Sequence, residues 1–144
     1  MKRSASAVWK GGLQDGKGTV STESGVLANT PYNFRMRFEN EKGTNPEELV
    51  AAAHAACFSM ALSNILAQGG HPPAEIRTTA TLRMSLGEGG PRITSAHLAC
   101  EGRVPGITAE AFQAAAEKAK DGCPVSKLLK PGLDSLSLAA VLLG

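Results

Sequence analysis

Residues 45–70 have the sequence NPEELVAAAHAACFSMALSNILAQGG, and this stretch decides the fold because it predicts one long helix. Asn45 is a good N-cap, Pro46 suits the first helical position, and the two glutamates that follow favour the positive end of the helix dipole. The pair Gly69-Gly70 predicts the end of the helix. Beyond the first turn the side chains are almost all apolar, so we expect a buried central helix.

The residues before this helix predict β-structure through about Glu39. A short strand is expected at residues 19–22. Tyr32–Glu39 alternates between apolar and polar side chains, which is typical of a strand with one buried face. The polar face of that strand carries Arg35 and Arg37, and a solvated strand face is the simpler explanation for both arginines.

The residues after the helix predict a β-hairpin, two shorter helices and a final strand. The expected elements are strands at 75–86 and 92–104, helices that begin at Thr108 and at Cys123-Pro124, and a strand at 133–143. Strands that precede mixed elements, with hairpin-type connections, indicate an α+β protein. The length of 144 residues fits a single domain over residues 1–144.

Composition and charge exclude several classes of function. Fifteen basic and thirteen acidic residues give a net charge of +2, which is too balanced for a dedicated nucleic-acid binder. The apolar helix approaches the length of a membrane span, but no second span or aromatic belt accompanies it, so no membrane association is expected. Three cysteines without a secretory signal predict free thiols and a cytoplasmic protein.

Cys57 lies in the middle of the long helix, where a small packing residue is the simplest explanation. At an ordinary thiol pKa of about 8.5, only about 3% of a cysteine is ionised at pH 7, and an apolar setting raises that pKa further. A reactive Cys57 therefore needs a cation nearby, for which Arg37 is the first candidate and Arg35 the second. His54, one helical turn earlier, is slightly favoured as a core histidine.

Glu47 is ten residues before Cys57, which places it roughly 15 Å away along a helix axis. It is therefore too distant to act as a base on the thiol, but it could orient an arginine that contacts Cys57. Cys123 precedes Pro124 at a predicted helix start, where free N–H groups favour a thiolate, although a buried loop cysteine explains it equally well. Cys100 lies in a predicted strand and is interpreted as structural.

The cysteines and histidines show no paired short spacing of the kind that binds metals, so no metal site is expected. There is also no C-x-x-C redox motif and no phosphate-binding loop. The residues alone therefore predict an α+β domain with two cysteines that are candidates for reactivity.

Four segments, in the right order and spread over most of the chain, resemble the OsmC/Ohr family, and most closely its OsmC branch. They are KGTVSTESG at 17–25, GTNPEEL at 43–49, AAAHAACF at 51–58 and GCPVS at 122–126. The resemblance implies an OsmC-like fold with antiparallel sheets and a long central helix. It also implies an intertwined homodimer whose two active sites lie at the interface.

The family resemblance further implies a thiol-dependent peroxidase that reduces organic hydroperoxides, and hydrogen peroxide less well, to alcohols during oxidative and osmotic stress. It assigns Cys57 as the peroxidatic cysteine, Cys123 as the resolving cysteine, and Arg37 as the activating arginine held by Glu47. It implies no cofactor, but an external dithiol must regenerate the enzyme. A redox sensor without turnover and a stress-related binding domain are the alternatives.

Three further expectations depend on this resemblance. Arg35 and Glu48 are the alternative candidates for the roles assigned to Arg37 and Glu47. The Ohr branch takes its arginine from nearer the N-terminus, where this chain has Lys17, so the OsmC assignment fits better. An apolar helix wall is the hypothesised contact for an organic peroxide; its members are Ala53, Phe58 and Met60.

Overall fold

The computed structural model describes all 144 residues, and the chain divides into two compact units, Met1–Leu49 and Val50–Gly144. The expected organisation as one domain over residues 1–144 stays a prediction. Strands and helices follow one another in the order that defines an α+β protein, which confirms the predicted class.

The first unit contains a three-stranded antiparallel sheet in which the strands lie in chain order. The strands are β1 (Ala5–Lys10), β2 (Lys17–Thr22) and β3 (Thr30–Asn33). The strand predicted at residues 19–22 is thereby confirmed as part of β2. A short helix, α1 (Phe34–Phe38), follows β3 directly.

The strand predicted over Tyr32–Glu39 is wrong beyond Asn33, because the chain turns there into α1. The side chain of Asn33 caps this helix by accepting a hydrogen bond from the Met36 backbone N–H at 2.8 Å. Phe34 and Phe38 then stand one turn apart, with ring centroids separated by 4.8 Å. Capping and aromatic pairing therefore override the two-residue alternation of the sequence.

The long helix, α2 (Pro46–Gln68), has the bounds that the sequence predicts. The side chain of Asn45 caps its start by accepting a hydrogen bond from the Glu48 N–H at 2.9 Å. At its end, Gly70 adopts a left-handed φ of 84°, and the His71 N–H donates to the Leu66 carbonyl at 2.9 Å. This hydrogen bond closes a Schellman motif, which satisfies carbonyls at the end of the helix.

The expectation that α2 is buried on all sides is wrong for the single chain. Its fully buried side chains recur every fourth residue, which makes one stripe along the helix: His54, Phe58, Leu62 and Leu66. Elsewhere apolar side chains remain accessible, and Met60 is 75% exposed. The helix is long and apolar enough to cross a membrane by length and composition, but a single helix of this kind is weak support for a span.

The second unit combines the rest of α2 with a three-stranded sheet and two helices. These elements are β4 (Glu75–Gly87), β5 (Gly90–Arg103), α3 (Ala109–Gly122), α4 (Pro124–Leu129) and β6 (Ser135–Leu142). The predicted hairpin, both helix starts and the final strand are confirmed. The side chain of Thr108 accepts a hydrogen bond from the Ala111 N–H at 3.2 Å and so caps α3.

One strand pairing corrects the expected antiparallel sheets. β4 and β5 pair antiparallel, but β6 lies parallel to β5, because the crossover through α3 and α4 brings the chain back in the same direction. Phe112 of α3 packs directly over Gly102 of β5, where a Cβ atom would lie 2.4 Å from the phenylalanine ring. This close approach places α3 directly against the sheet.

Candidate active site

Cys57 and Cys123 are brought together from two different helices. Cys57 lies in the middle of α2, and Cys123 lies between α3 and α4, where its N–H donates to the Ala119 carbonyl at 2.8 Å. Both thiols are free, and their Sγ atoms are 2.9 Å apart. Two sulfurs in this position can be joined by a disulfide with little backbone movement. Cys57 is half-buried, whereas Cys123 is completely buried.

The surroundings of Cys57 within its own unit oppose ionisation. Burial and the hydrogen bond from Cys123 raise the pKa of the Cys57 thiol, while a hydrogen bond from the Val125 backbone N–H acts in the opposite direction. The pKa of Cys57 is raised on balance. The Val125 N–H, in the first turn of α4, thus points at the Cys57 sulfur. The side chain of Cys123, which precedes α4, does not cap that helix.

Arg37 and Glu47 form the second pair. Arg37 Nη2 and Nε donate to Glu47 Oε1 at 2.8 and 3.1 Å, and Nε also lies 3.3 Å from Oε2. The guanidinium also lies 5.0 Å from the centroid of the Phe38 ring, which is a cation–π contact. Glu47 is only 16% exposed, so this ion pair is more shielded from solvent than an ordinary surface pair.

The neighbours of this pair have other partners. Arg35 is 68% exposed and contacts Glu39 and Glu41 at 3.3 and 3.4 Å. In the helix α1, residues two positions apart point in different directions, so Arg35 and Arg37 cannot share one face as they would in a strand. Glu48 is exposed and takes part in the helix cap through its backbone N–H.

The comparison with known proteins agrees with the geometry. A family profile described as "OsmC-like protein" matches residues 39–135. The chain belongs to the OsmC family. Peroxiredoxin OsmC of Escherichia coli is 56% identical to it over 124 residues, which cover 86% of this chain and 87% of that protein.

Solved structures extend the family relationship to the fold. The crystal structure of the organic hydroperoxide resistance protein OhrB of Bacillus subtilis matches with a TM-score of 0.67 and 26% identity, over 97% of this chain and 98% of that chain. An OsmC-like protein from Mycoplasma pneumoniae matches with a TM-score of 0.78 over 100% and 99% of the two chains, at 15% identity. The predicted OsmC-like fold is therefore confirmed.

The site of this OsmC-family chain includes a buried polar pair that the sequence does not predict. His54 Nε2 lies 2.8 Å from Ser126 Oγ, and both side chains are buried. Burial lowers the pKa of His54, which favours the neutral imidazole. The sequence offered one signal for Ser126: it stands three residues after Cys123, as His54 stands three before Cys57.

A cavity of 230 Å³ in the first unit contains Arg37 and most of the aromatic residues of the chain. Its lining is Trp9, Leu13, Tyr32, Asn33, Phe34, Arg37 and Phe38, which include four of the six aromatic side chains. The hypothesised apolar wall of Ala53, Phe58 and Met60 is wrong for Phe58, which is completely buried in the core; for Ala53 and Met60 it stays a prediction.

Cys100 is buried in β5, and this burial raises the pKa of its thiol. The structure thus agrees with the structural role predicted for this residue. We expect iodoacetamide to modify Cys57 in the folded chain and to leave Cys100 unmodified, because an inaccessible thiol that resists ionisation is a poor nucleophile. Peptide mapping by mass spectrometry after timed labelling checks this order. Equal labelling of both residues under native conditions would contradict it, and labelling in urea gives the control in which Cys100 becomes reactive.

Proposed function

We propose that this chain is a thiol-dependent peroxidase that reduces organic hydroperoxides, and hydrogen peroxide less well, to the corresponding alcohols or water. The observation that carries the proposal is the 2.9 Å separation of the sulfurs of Cys57 and Cys123, the two cysteines to which the family resemblance assigns the chemistry. The 56% identity to a protein named a peroxiredoxin supports the same activity.

In the first step the Cys57 thiolate attacks the terminal oxygen of the hydroperoxide. A sulfur–oxygen bond forms, the oxygen–oxygen bond breaks, and the alkoxide leaves and takes up a proton as the alcohol. Cys57 is thereby oxidised by two electrons to the sulfenic acid. Cys57 is half-buried and Cys123 completely buried, which favours Cys57 as the sulfur that meets the substrate.

In the second step the Cys123 thiolate attacks the sulfur of the sulfenic acid. A disulfide bond forms, and hydroxide leaves and becomes water with the proton that Cys123 gave up. The small distance between the sulfurs supports this step, because no large rearrangement must precede bond formation.

An external dithiol then completes the cycle. It gives up two electrons and two protons, becomes a disulfide, and returns both cysteines to thiols, so that each turnover converts hydroperoxide and dithiol into alcohol, water and oxidised dithiol. This chemistry requires no resident cofactor. The three free cysteines agree with a reducing compartment, and a cytoplasmic location and a role in oxidative and osmotic stress are parts of this proposal.

Arg37 is proposed to activate Cys57, with Glu47 as the residue that orients it. A guanidinium stays charged throughout the physiological pH range, so it stabilises a neighbouring thiolate without titrating itself. The ion pair uses Nε and Nη2 of Arg37, which leaves Nη1 without a partner in the chain and available for a sulfur or a peroxide oxygen.

The aromatic cavity beside Arg37 supports the preference for organic substrates. Four aromatic rings and Leu13 provide apolar surface next to the guanidinium that would polarise the peroxide. An alkyl or aryl group bound there gains free energy from leaving water, whereas hydrogen peroxide has no such group. Organic hydroperoxides should therefore bind more tightly than hydrogen peroxide.

The functional form is proposed to be the homodimer that the family resemblance implies. Much of the apolar surface of α2 is not covered within the chain, as the 75% exposure of Met60 illustrates. Contiguous exposed apolar surface of this kind is typical of an interface with another protein. A second copy of this chain would bury it.

The first of three predictions from the proposed function concerns the cysteines. One equivalent of cumene hydroperoxide should lower the intact mass by about two units through a Cys57–Cys123 disulfide. Cys57→Ser should abolish both this change and peroxide turnover with dithiol. Cys123→Ser should instead gain about 16 units as the sulfenic acid forms. Cys100→Ala is the matched control and should behave as the unaltered chain.

Two results would contradict the peroxidase mechanism. One is a disulfide through Cys100 or no change in mass. The other is oxidation once without steady-state consumption of hydroperoxide in the presence of dithiol, which would identify a redox sensor instead. Unchanged properties of Cys57→Ser apart from stability would favour a binding domain.

The second prediction concerns the arginine and the pH dependence of the thiol. Arg37→Met should raise the pKa of Cys57, because it removes the proposed effect of the guanidinium, while burial and Cys123 continue to raise that pKa. The thiolate, and with it the alkylation rate of Cys57, should then develop only at a pH above the ordinary thiol value of about 8.5. Arg35→Met is the matched control and should leave the titration unchanged. Equal shifts in both variants, or none, would reject the assignment to Arg37.

The third prediction concerns the dimer. Sedimentation should give about twice the chain mass of 14.9 kDa for the unaltered protein. Met60→Asp should lower the average mass, because it places a charge in the proposed interface. Leu86→Asp, at a residue that is 70% exposed near the hairpin tip, is the control and should not. A monomer for the unaltered chain would exclude the proposed assembly.

A further inference from the structure

The buried hydrogen bond between His54 and Ser126 joins α2, which carries Cys57, to α4, which begins directly after Cys123. His54 lies on α2 and Ser126 on α4, and Nε2 and Oγ are 2.8 Å apart. The exposures of the two residues are 0% and 1%. A hydrogen bond between fully buried groups is costly to break, because neither group can turn to water instead.

The hydrogen-bonded pair lies about one helical turn from the sulfur pair. His54 precedes Cys57 by three residues and Ser126 follows Cys123 by three, so each pair is separated by about one helical turn. The two helices are thus connected at two neighbouring levels, once by the sulfurs and once by the imidazole and the hydroxyl. When the cysteines are reduced, the bond between imidazole and hydroxyl acts beside the weaker thiol hydrogen bond from Cys123 to Cys57 and the Val125 N–H that is directed at Cys57.

Besides this hydrogen bond, the short helix α4 is held by Val125, which is partly buried against the core. Ser126 is the only fully buried side chain among its six residues, and Leu128 is 77% exposed. A helix of this length is not stable by itself and takes its position from its contacts. The same helix supplies Cys123 at its start and the Val125 N–H that is directed at Cys57.

We propose that His54 and Ser126 are positioning residues, whose hydrogen bond holds α4 against α2 and so sets how quickly Cys123 reaches a modified Cys57. They do not contact the substrate and take no part in bond formation. The inference rests on the proposed role of Cys123 as the resolving cysteine. The second step depends on this hydrogen bond more strongly than the first, because α4 positions the attacking Cys123 in the second step but contributes only the Val125 N–H to the first.

An aromatic disulfide reagent, 5,5′-dithiobis(2-nitrobenzoate), tests this inference without any peroxide. The Cys57 thiolate attacks the reagent, forms a mixed disulfide and releases one aryl thiolate. Cys123 then attacks the Cys57 sulfur of that mixed disulfide, forms the Cys57–Cys123 bond and releases the second aryl thiolate. Stopped-flow absorbance resolves the two releases, because the rate of the first depends on reagent concentration and that of the second does not.

Ser126→Ala should slow the second release about tenfold, the size of effect that one lost hydrogen bond produces, and leave the first release within about twofold. Ser59→Ala is the matched control. Ser59 Oγ donates to Thr78 Oγ1 at 2.8 Å and lies two residues from Cys57, but it connects α2 to β4 rather than to α4. This variant should retain the second rate within about twofold.

The double variant His54→Leu/Ser126→Ala removes both polar groups and thus the penalty of an unpaired buried imidazole. It should remain as slow in the second release as Ser126→Ala, and it supplies the test if the single variant does not fold. An unchanged second rate in Ser126→Ala, equal slowing in Ser59→Ala, or recovery in the double variant would overturn the inference. Failure of the proposed peroxidase function would appear separately, as no consumption of hydroperoxide by the unaltered chain.

Discussion

A thiol that is taken out of water loses the hydration of its anion, and this desolvation is the constraint on which the chemistry of the chain depends. It raises the pKa of Cys57, and the neighbouring thiol of Cys123 acts in the same direction. The burial that brings two sulfurs within 2.9 Å therefore also suppresses the reactive form of one of them. One backbone N–H, from Val125, is the compensation that the second unit provides.

The long helix α2 connects the requirements of the site with those of the fold. Its first turn carries Glu47, which holds Arg37, and its middle carries His54 and Cys57. Both ends are capped, so these side chains stand on a rigid element rather than on a loop. A single chain buries only one stripe of this apolar helix, so the rest of its apolar surface stays exposed. That exposed surface is the physical argument for the proposed dimer.

Much of this organisation could be predicted from the sequence, because it depends on local signals. Asn45 and the Gly69-Gly70 pair set the bounds of α2, and Thr108 sets the start of α3. The predictions that proved wrong concern places where local and longer-range effects compete. Residues 34–38 alternate in polarity as a strand would, yet the Asn33 cap and the Phe34–Phe38 pair make them helical. The parallel pairing of β6 depends on the path of a crossover, which polarity patterns do not encode.

The candidate site was less predictable from the residues alone, because its pairs are distant in sequence. Nothing in the spacing joins Cys57 to Cys123, and the family resemblance supplied that pairing. The helical form of α1 then gave a physical reason to separate Arg37 from Arg35, since the two no longer share a face. Ser126 was missed because a serine in a short helix has no distinctive pattern until its buried partner is known.

His54 and Arg37, the arginine proposed to activate Cys57, have different physical tasks. A buried His54 with a lowered pKa is neutral at physiological pH, so it offers hydrogen bonds and no charge. If the charge that activates Cys57 came from this histidine, reactivity would fall as the pH rose and the imidazole lost its proton. A guanidinium retains its proton over the whole physiological range, so the proposed activation by Arg37 would persist as the pH rises and the thiolate itself becomes more abundant. In the proposed cycle, a guanidinium supplies the charge for the first step and a neutral imidazole supplies the position for the second, so that a substitution at either residue affects mainly one step.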